Sequence, residues 1–465
     1  MSGSHMSSPR GQSLIARSGT LLIVLIYILL LPVLFRPLVY RIDPVGYYSW
    51  ARSVLIDRDL NLKNEFVHYD MDRDTPTTRT GYKHSQWAPG SGFMWLPAMA
   101  VADAAVMASG SHGAPIARDG YSWAYVTAAA FSSTLAGLCA VLLIYSLARK
   151  LFGDFAALLA SIVVWLGTPM VYYQYYEPLF SHANDVLLNA LFVVLWWHAR
   201  RRGYRPTWMF VLGLVGGAAV WVRAQNVILV IVAVLEAGYD LMSSIHYRLW
   251  RSRVRQICAR VAWLLGGFLC LFVPQLLFWR TVYGSWLVNT YQATGGGTFD
   301  WRARHVLQVL VSTDRGMFVW APVMLVCLIG VGRLFRADRR LTLMLGTIAI
   351  FQLYVIGSWS HWEGGAAFGP RFWIAQIPFF TLSLAALVGY LDRRFDRFHL
   401  RVVLVLVGGL FIVWNLLLML QYVTGMVAST GQVELTRMIE NQIVVGSRAI
   451  ELAAQRLKWL QTLLH

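Results

Sequence analysis

Apolar residues in this chain run in long blocks, without the short alternations of a half-buried strand. A helix crossing a bilayer needs about 20 mostly apolar residues. Blocks of that kind fall at 20–40, 121–148, 154–173, 179–198, 207–222, 225–244, 258–281, 316–333, 341–357, 371–390 and 400–421, which predicts eleven spans. The fold class this implies is an all-α polytopic membrane protein. One further block, Phe93–Ala108, is shorter and interrupted by Pro97 and Asp103.

The polar connections orient these blocks. Arg149-Lys150, Arg200-Arg201-Arg202 with Arg205, and the stretches 248–260, 333–340 and 393–401 are strongly basic. Short basic loops stay in the cytoplasm, and Arg10 and Arg17 place the N-terminus there too. If 20–40 runs outward and 121–148 returns to Arg149, the block 93–108 has no room to cross, and it is expected to lie in the interface or re-enter. Parity then holds at each later loop and leaves the C-terminus outside, on the periplasmic face of a bacterial inner membrane.

Residues 1–8 include Gly-Ser-His-Met and read as a cloning remnant. The first apolar block lacks a small-residue cleavage site and is expected to remain as a helix. Residues 9–421 form the expected membrane domain. Residues 422–465 form a short periplasmic tail whose Leu435, Met438, Ile439 and Ile443, then Leu452, Leu457, Leu460 and Leu464, suggest an amphipathic helix pair on the outer leaflet.

Composition agrees. The chain has 465 residues, 57% hydrophobic and 14% charged, against about 25% charged in soluble domains. A net charge of +17 would suggest nucleic acid in a soluble protein. Here the cations gather between spans, so anionic phospholipids are the expected partners and no nucleic acid is. Cys139, Cys258, Cys270 and Cys327 sit in or beside apolar blocks without metal-ligand spacing, which argues against a disulfide framework and for buried small hydrophobes.

The outer loops are different in kind. The first, 41–120, is long and aromatic-rich and opens with Asp43, Tyr47 and Arg52. The second, 172–185, carries Glu177, His182 and Asp185. The third, 282–315, holds Gly295-Gly296-Gly297, and the fourth, 358–371, carries His361, Glu363 and Arg371. So many polar groups on one side imply a shared cavity. Asp43 has a plain alternative role as the cap of a surface helix beginning at Pro44.

The pattern Asp43-x-x-x-Tyr47-x-x-x-Ala51-Arg52, then Gly81-Tyr82-Lys83-His84 and Trp87-Ala-Pro89, resembles the opening of GT-C superfamily glycosyltransferases, the branch of aminoarabinose transferase and protein O-mannosyltransferases. Trp362-Glu363-Gly364-Gly365 to Phe368-Gly369-Pro370-Arg371, and Asp314-Arg315-Gly316 to Trp320-Ala-Pro322, are similar to a bacterial subset of these enzymes. Two departures stand out: Pro44 follows Asp43 where the family has an acidic residue, and His84-Ser85 replaces two prolines after Lys83.

The resemblance implies a GT-C fold with interfacial helices in the first loop, a sugar donor carried on polyprenyl phosphate, and chemistry on the periplasmic side. An acceptor hydroxyl needs a base, for which Asp43 is the candidate. A departing lipid phosphate needs cations, for which Lys83, Arg371 and Arg315 are candidates. Tyr47, His84, Glu177, His182, His361 and Glu363 are candidates for binding or orienting the two substrates. His361 and Glu363 alone make a weak metal pair, so no metal ligands are assigned and a divalent cation stays open as a cofactor. Arg223 and Gln225 read as a turn reaching for the interface, and Trp95, Trp359 and Trp362 as interface anchors. The acceptor class, whether lipid, glycan or protein, is not legible. Two other classes fit the layout less well. A flippase of a lipid-linked sugar would show inverted repeats, and an O-antigen ligase or polymerase would place its arginines in one late loop.

Overall fold

The computed structural model describes residues 9–110, 116–244, 250–291, 297–395 and 397–447. Among them the chain is almost wholly helical, with only two isolated bridges, Thr77–Lys83 and Phe299–Trp359. In chain order the helices are α1 (Pro9–Leu34), α2 (Ile42–Arg52), α3 (Lys63–His68), α4 (Gly90–Gly110), α5 (Trp123–Phe152), α6 (Asp154–Leu166), α7 (His182–Arg201), α8 (Pro206–Val222) and α9 (Val227–Ser244). They continue with α10 (Trp250–Tyr283), α11 (Val306–Val311), α12 (Met317–Trp320), α13 (Val323–Ile329), α14 (Val331–Ala337), α15 (Arg339–Ser358), α16 (Ile377–Arg394) and α17 (Arg397–Val423).

By length and composition, seven segments of the described residues can cross a membrane: Gly90–Ser109, Trp123–Phe152, Ala224–Ser243, Trp250–Tyr283, Arg339–Ser358, Arg371–Arg394 and Phe398–Val423. Ser18–Leu34, Asp154–Leu166 and Pro206–Val222 are shorter apolar helices. The blocks read from sequence differ from these in instructive ways. The block 154–173 is interrupted after Leu166 and becomes helical again only at Met170. The buried Asn415 of α17 donates to the carbonyls of Leu166 and Thr168 and so closes the helix end. The block 316–333 is broken into α12, α13 and the start of α14, with Pro322 and Gly330 at the breaks. The block 179–198 forms α7, where buried Asn184, Asp185 and Asn189 put polar groups on an otherwise apolar helix.

Helix α4 runs antiparallel beside the opening turns of α5. Trp95 Nε1 donates to Ser133 Oγ at 2.8 Å, and Tyr125 Oη donates to Asp103 at 2.7 Å. The far end of α5 is marked by Lys150, 3.1 Å from His198 of α7, and α4 stops well short of it. Trp95 is fully buried, so it is a packing residue and not the interface anchor expected from sequence.

Backbones approach closely where glycines permit it. A Cβ on Gly267 of α10 would stand 1.9 Å from the carbonyl oxygen of Phe210 in α8. That close packing, as small residues allow between membrane helices, locks the first turns of α8 against α10. The tail helix, 435–447, buries Met438 and Val445 and leaves Leu435, Ile439 and Ile443 exposed. The second half of the expected helix pair lies outside the described residues.

Candidate functional site

The site begins at α2. Its first turn carries Asp43 inside the helix, with Arg41 as the N-cap residue in extended conformation and no side-chain cap. Asp43 is therefore not the cap that sequence allowed; its carboxylate is spent elsewhere. Oδ2 meets Arg371 Nη1 at 2.5 Å across 328 residues of chain, and Oδ1 accepts from Trp87 Nε1 at 2.8 Å. Trp87 reaches this position because Gly46, the next turn of α2, has no side chain: a Cβ there would stand 2.1 Å from the indole Cδ2. Burial alone would raise the Asp43 pKa. Arg371, the Trp87 N–H and Arg223 outweigh it and hold the carboxyl below its ordinary value. A quarter of the side chain stays open.

Arg371 starts a 3₁₀ turn, Arg371–Gln376, that leads into α16. Its guanidinium lies between Phe180 (5.3 Å) and Phe372 (5.2 Å), and its Nε has no hydrogen-bond partner although it is buried. Beside it a second group centres on Arg223, at the end of α8. Arg223 pairs with Asp185 at 3.2 Å, donates to Ser181 Oγ, and faces His182 Nδ1 at 3.2 Å. Asn226 and Asn189 donate to Asp185. Ser181 Oγ is also 3.2 Å from Tyr47 Oη, which joins this group back to α2.

Both groups back onto one cavity of about 400 Å3. Tyr47, Trp87, Arg223 and Phe372 form the wall shared with the charged groups. The rest is largely aromatic and apolar with carboxamides among it, mainly from α10, α15 and the 282–315 loop. A cavity of this size and character is the form a ligand site takes.

Of the residues chosen from sequence, Asp43, Tyr47, His182 and Arg371 are brought together. The others stand elsewhere. Lys83 pairs with Asp72 at 2.7 Å and donates to the carbonyls of Asp72 and Thr75, a knot within the first loop. His84 is buried edge-on to Tyr283 (5.2 Å), and burial lowers its pKa. Arg315 donates to the carbonyls of Ala367, Gly431 and Ala428, tying the fourth loop to the tail. Glu177 lies in a separate cluster with Tyr40 (2.5 Å), Arg41 (3.1 Å) and Tyr172 (3.2 Å), and burial raises its pKa despite Arg41. His361 is exposed beside Ser360. Glu363 lines a small crevice behind Arg371.

Arg223 corrects the sequence reading: it is not an interface arginine but an ion-paired member of the site, and Asp185 is its counter-charge. A signal existed, since an arginine between two spans needs a carboxylate within reach, and Asp185 was one of two acidic residues, with Glu177, in the preceding outer loop. Among the described residues no three His, Cys, Asp or Glu side chains gather as a metal site would require. Asp43 and Asp185 each face an arginine, which does not suit a cation.

Residues 125–279 match the family model described as dolichyl-phosphate-mannose-protein mannosyltransferase. No curated protein matches the sequence. Among solved structures the chain is similar to ArnT from Cupriavidus metallidurans bound to undecaprenyl phosphate, at 14% identity and TM-score 0.48, over 94% of this chain and 76% of that one. It is also similar to the Archaeoglobus fulgidus oligosaccharyltransferase in the apo form, at 12% identity and TM-score 0.51, over 87% of this chain and 55% of that one. The same archaeal enzyme, AglB, in complex with an inhibitory peptide and a dolichol-phosphate, gives 13% identity and TM-score 0.51, over 90% and 56%. The chain thus spans about half the length of that oligosaccharyltransferase.

Proposed function

We propose that this chain, a multi-span glycosyltransferase with the GT-C fold, moves a sugar from a polyprenyl-phosphate donor to an acceptor hydroxyl on the periplasmic face of a bacterial inner membrane. The observation that carries this reading is the Asp43–Arg371 pair, assembled from opposite ends of the chain at the wall of an aromatic cavity. The acceptor oxygen attacks the anomeric carbon, the bond from that carbon to the phosphate oxygen breaks, Asp43 takes the hydroxyl proton, and polyprenyl phosphate leaves. One displacement of this kind inverts the anomeric centre.

The paired state of Asp43 gives the step its order. A carboxylate held down by Arg371 is a poor base. When the donor phosphate engages Arg371, whose Nε is unspent, Asp43 loses its strongest counter-charge and its proton affinity rises. Donor binding thus primes the base. Arg223, held by Asp185, is the second cation toward the leaving phosphate. Lys83 is tied to Asp72 and its expected part in phosphate binding passes to these two arginines. The N-terminus is cytoplasmic and the C-terminus periplasmic in this reading, as the basic loops require.

The test is transfer of radiolabel from a synthetic polyprenyl-phosphate sugar to an envelope extract by purified protein. Wild type is expected to release polyprenyl phosphate and label an acceptor, and Asp43→Asn to do neither while remaining folded. Full turnover by Asp43→Asn would remove the base from this mechanism.

A further inference from the structure

The cavity is as informative for what it lacks as for what it contains. Among the described residues its lining holds a single charged side chain, Arg223, and no carboxylate. Five carboxamides line it instead: Gln86, Gln225, Gln275, Asn289 and Gln352. They alternate with broad aromatic faces, among them Trp87, Phe278, Trp279, Phe299, Trp301 and Trp359. Gln275 is the most telling. It sits inside α10, only 2% exposed, and its Oε1 has no partner. A buried amide oxygen left unpaired is costly unless a ligand supplies a donor, and a sugar hydroxyl is such a donor. Residues 292–296, outside the described set but within the same loop, read Gln-Ala-Thr-Gly-Gly and bring no acid.

The acidic groups nearby are committed. Asp43 faces Arg371, and once the donor phosphate draws that arginine away it faces the acceptor hydroxyl at the anomeric carbon; Asp185 faces Arg223 with two asparagine amides. Asp300, between Phe299 and Trp301, turns to Arg304 at 2.8 Å. Glu363 lines the separate crevice behind Arg371 and Phe372. An ammonium group placed in the cavity would therefore be desolvated without a counter-ion and beside Arg223, an arrangement that buried charges do not tolerate. Hydroxyls, by contrast, find amide donors and acceptors on one side and aromatic faces on the other.

We propose that this cavity selects a donor whose sugar is electrically neutral, bearing hydroxyls and no amine. The inference rests on the polyprenyl-phosphate reading above and narrows its substrate class.

The experiment uses the purified protein in detergent, with quenching of its cavity tryptophans as the signal. Three ligands are titrated: undecaprenyl-phosphate glucose, its 4-amino-4-deoxy analogue, and undecaprenyl phosphate without sugar. The glucosyl compound is expected to bind at least about tenfold more tightly than the amino analogue. Gln275→Glu and Asn289→Asp, each adding a carboxylate to the lining, are expected to narrow that ratio at least about threefold. Asn289→Asp keeps the acceptor that Tyr291 N–H uses, at 3.3 Å, so one variant folds even if the helix variant does not. Equal or tighter binding of the amino analogue would overturn the neutral-sugar inference and leave the transferase reading in place. An unchanged ratio in Asn289→Asp would show that discrimination arises outside this cavity, and would overturn it too. Failure of all three ligands to bind, the sugar-free lipid phosphate included, would bring down the polyprenyl-phosphate reading itself.

Discussion

Two buried ion clusters occupy opposite ends of this bundle, built from the same residue types. At the basic end, Arg260 of α10 gives one Nη to Glu236 (2.6 Å) and the other to Asp240 (2.9 Å), while stacking over Tyr204 at 3.5 Å. Arg340 adds a second cation to both acids, and Trp196 and Tyr204 donate to Glu236. At the other end Asp43 has one arginine and one indole, keeps part of its side chain open, and backs onto a cavity. The first cluster clasps α7, α9, α10 and α15. Each cluster keeps one buried arginine Nε unpaired, at Arg260 and at Arg371, but the second has a cavity beside it. Charge and burial are common to both, so neither identifies a reactive site; what separates them is the room for a ligand.

The sharpest way to break this contrast is to remove one group from each cluster. Asp43→Asn keeps size and is expected to lower transfer by at least about 10²–10⁴-fold, the range of a lost acid–base group, with little change in melting temperature. Arg260→Ala leaves Glu236 and Asp240 with only the more exposed Arg340 and is expected to cost up to about 3 kcal/mol of stability, while the fraction that stays folded transfers sugar at the wild-type rate. The pair is read by turnover per folded molecule together with thermal unfolding. If Arg260→Ala lowered turnover of the folded fraction as far as Asp43→Asn, the two ends would not be distinct in role.

A subtler change leaves every charge in place. Gly46→Ala pushes the Trp87 indole away from Asp43, removing one of the groups that lower its pKa. Turnover is expected to fall about tenfold, in line with misplacement of a positioned group, and the acid limb of the pH–rate profile to move upward. An unmoved acid limb would mean that Trp87 does not tune the carboxylate.

The smallest effect belongs to a third group in the first loop. Glu65 is fully buried against Arg52, and burial pushes its pKa up to about 7, with Arg52 offsetting only part of the shift. A carboxyl whose pKa is higher folded than unfolded contributes stability that is complete below the unfolded value and disappears as pH rises through the folded one. Wild type is therefore expected to lose a few degrees of melting temperature between about pH 5 and pH 8, and Glu65→Gln to flatten that slope. An identical slope in the variant would assign the titration elsewhere.

How much of this was legible in the sequence differs between fold and site. Apolar blocks long enough to span matched α5, α7, α8, α9, α15 and α17 within a few residues, because block length is set by bilayer thickness, whereas α10 and α16 begin further from their blocks' starts. The partner that closes one break was not legible: the end of α6 depends on Asn415, almost 250 residues away, and no local signal names it. Asp43 and Arg371 were found as separate polar residues in aromatic loops. Their pairing, and the displacement of Lys83 onto Asp72, required coordinates, since loop 41–120 folds by contacts between distant positions. Arg223 was misread because its position between two spans resembles that of a snorkelling cation, and only the depth of Asp185 on α7 shows otherwise.

The central claim is that the Asp43–Arg371 pair parts to receive a lipid phosphate. Cryo-electron microscopy of the full chain with undecaprenyl phosphate tests it directly. The account predicts phosphate density within hydrogen-bond distance of Arg371 and Arg223, with the Asp43 carboxylate released from Arg371. Phosphate bound at Lys83 or at the Arg41–Glu177 cluster, with the Asp43–Arg371 pair intact, would contradict it.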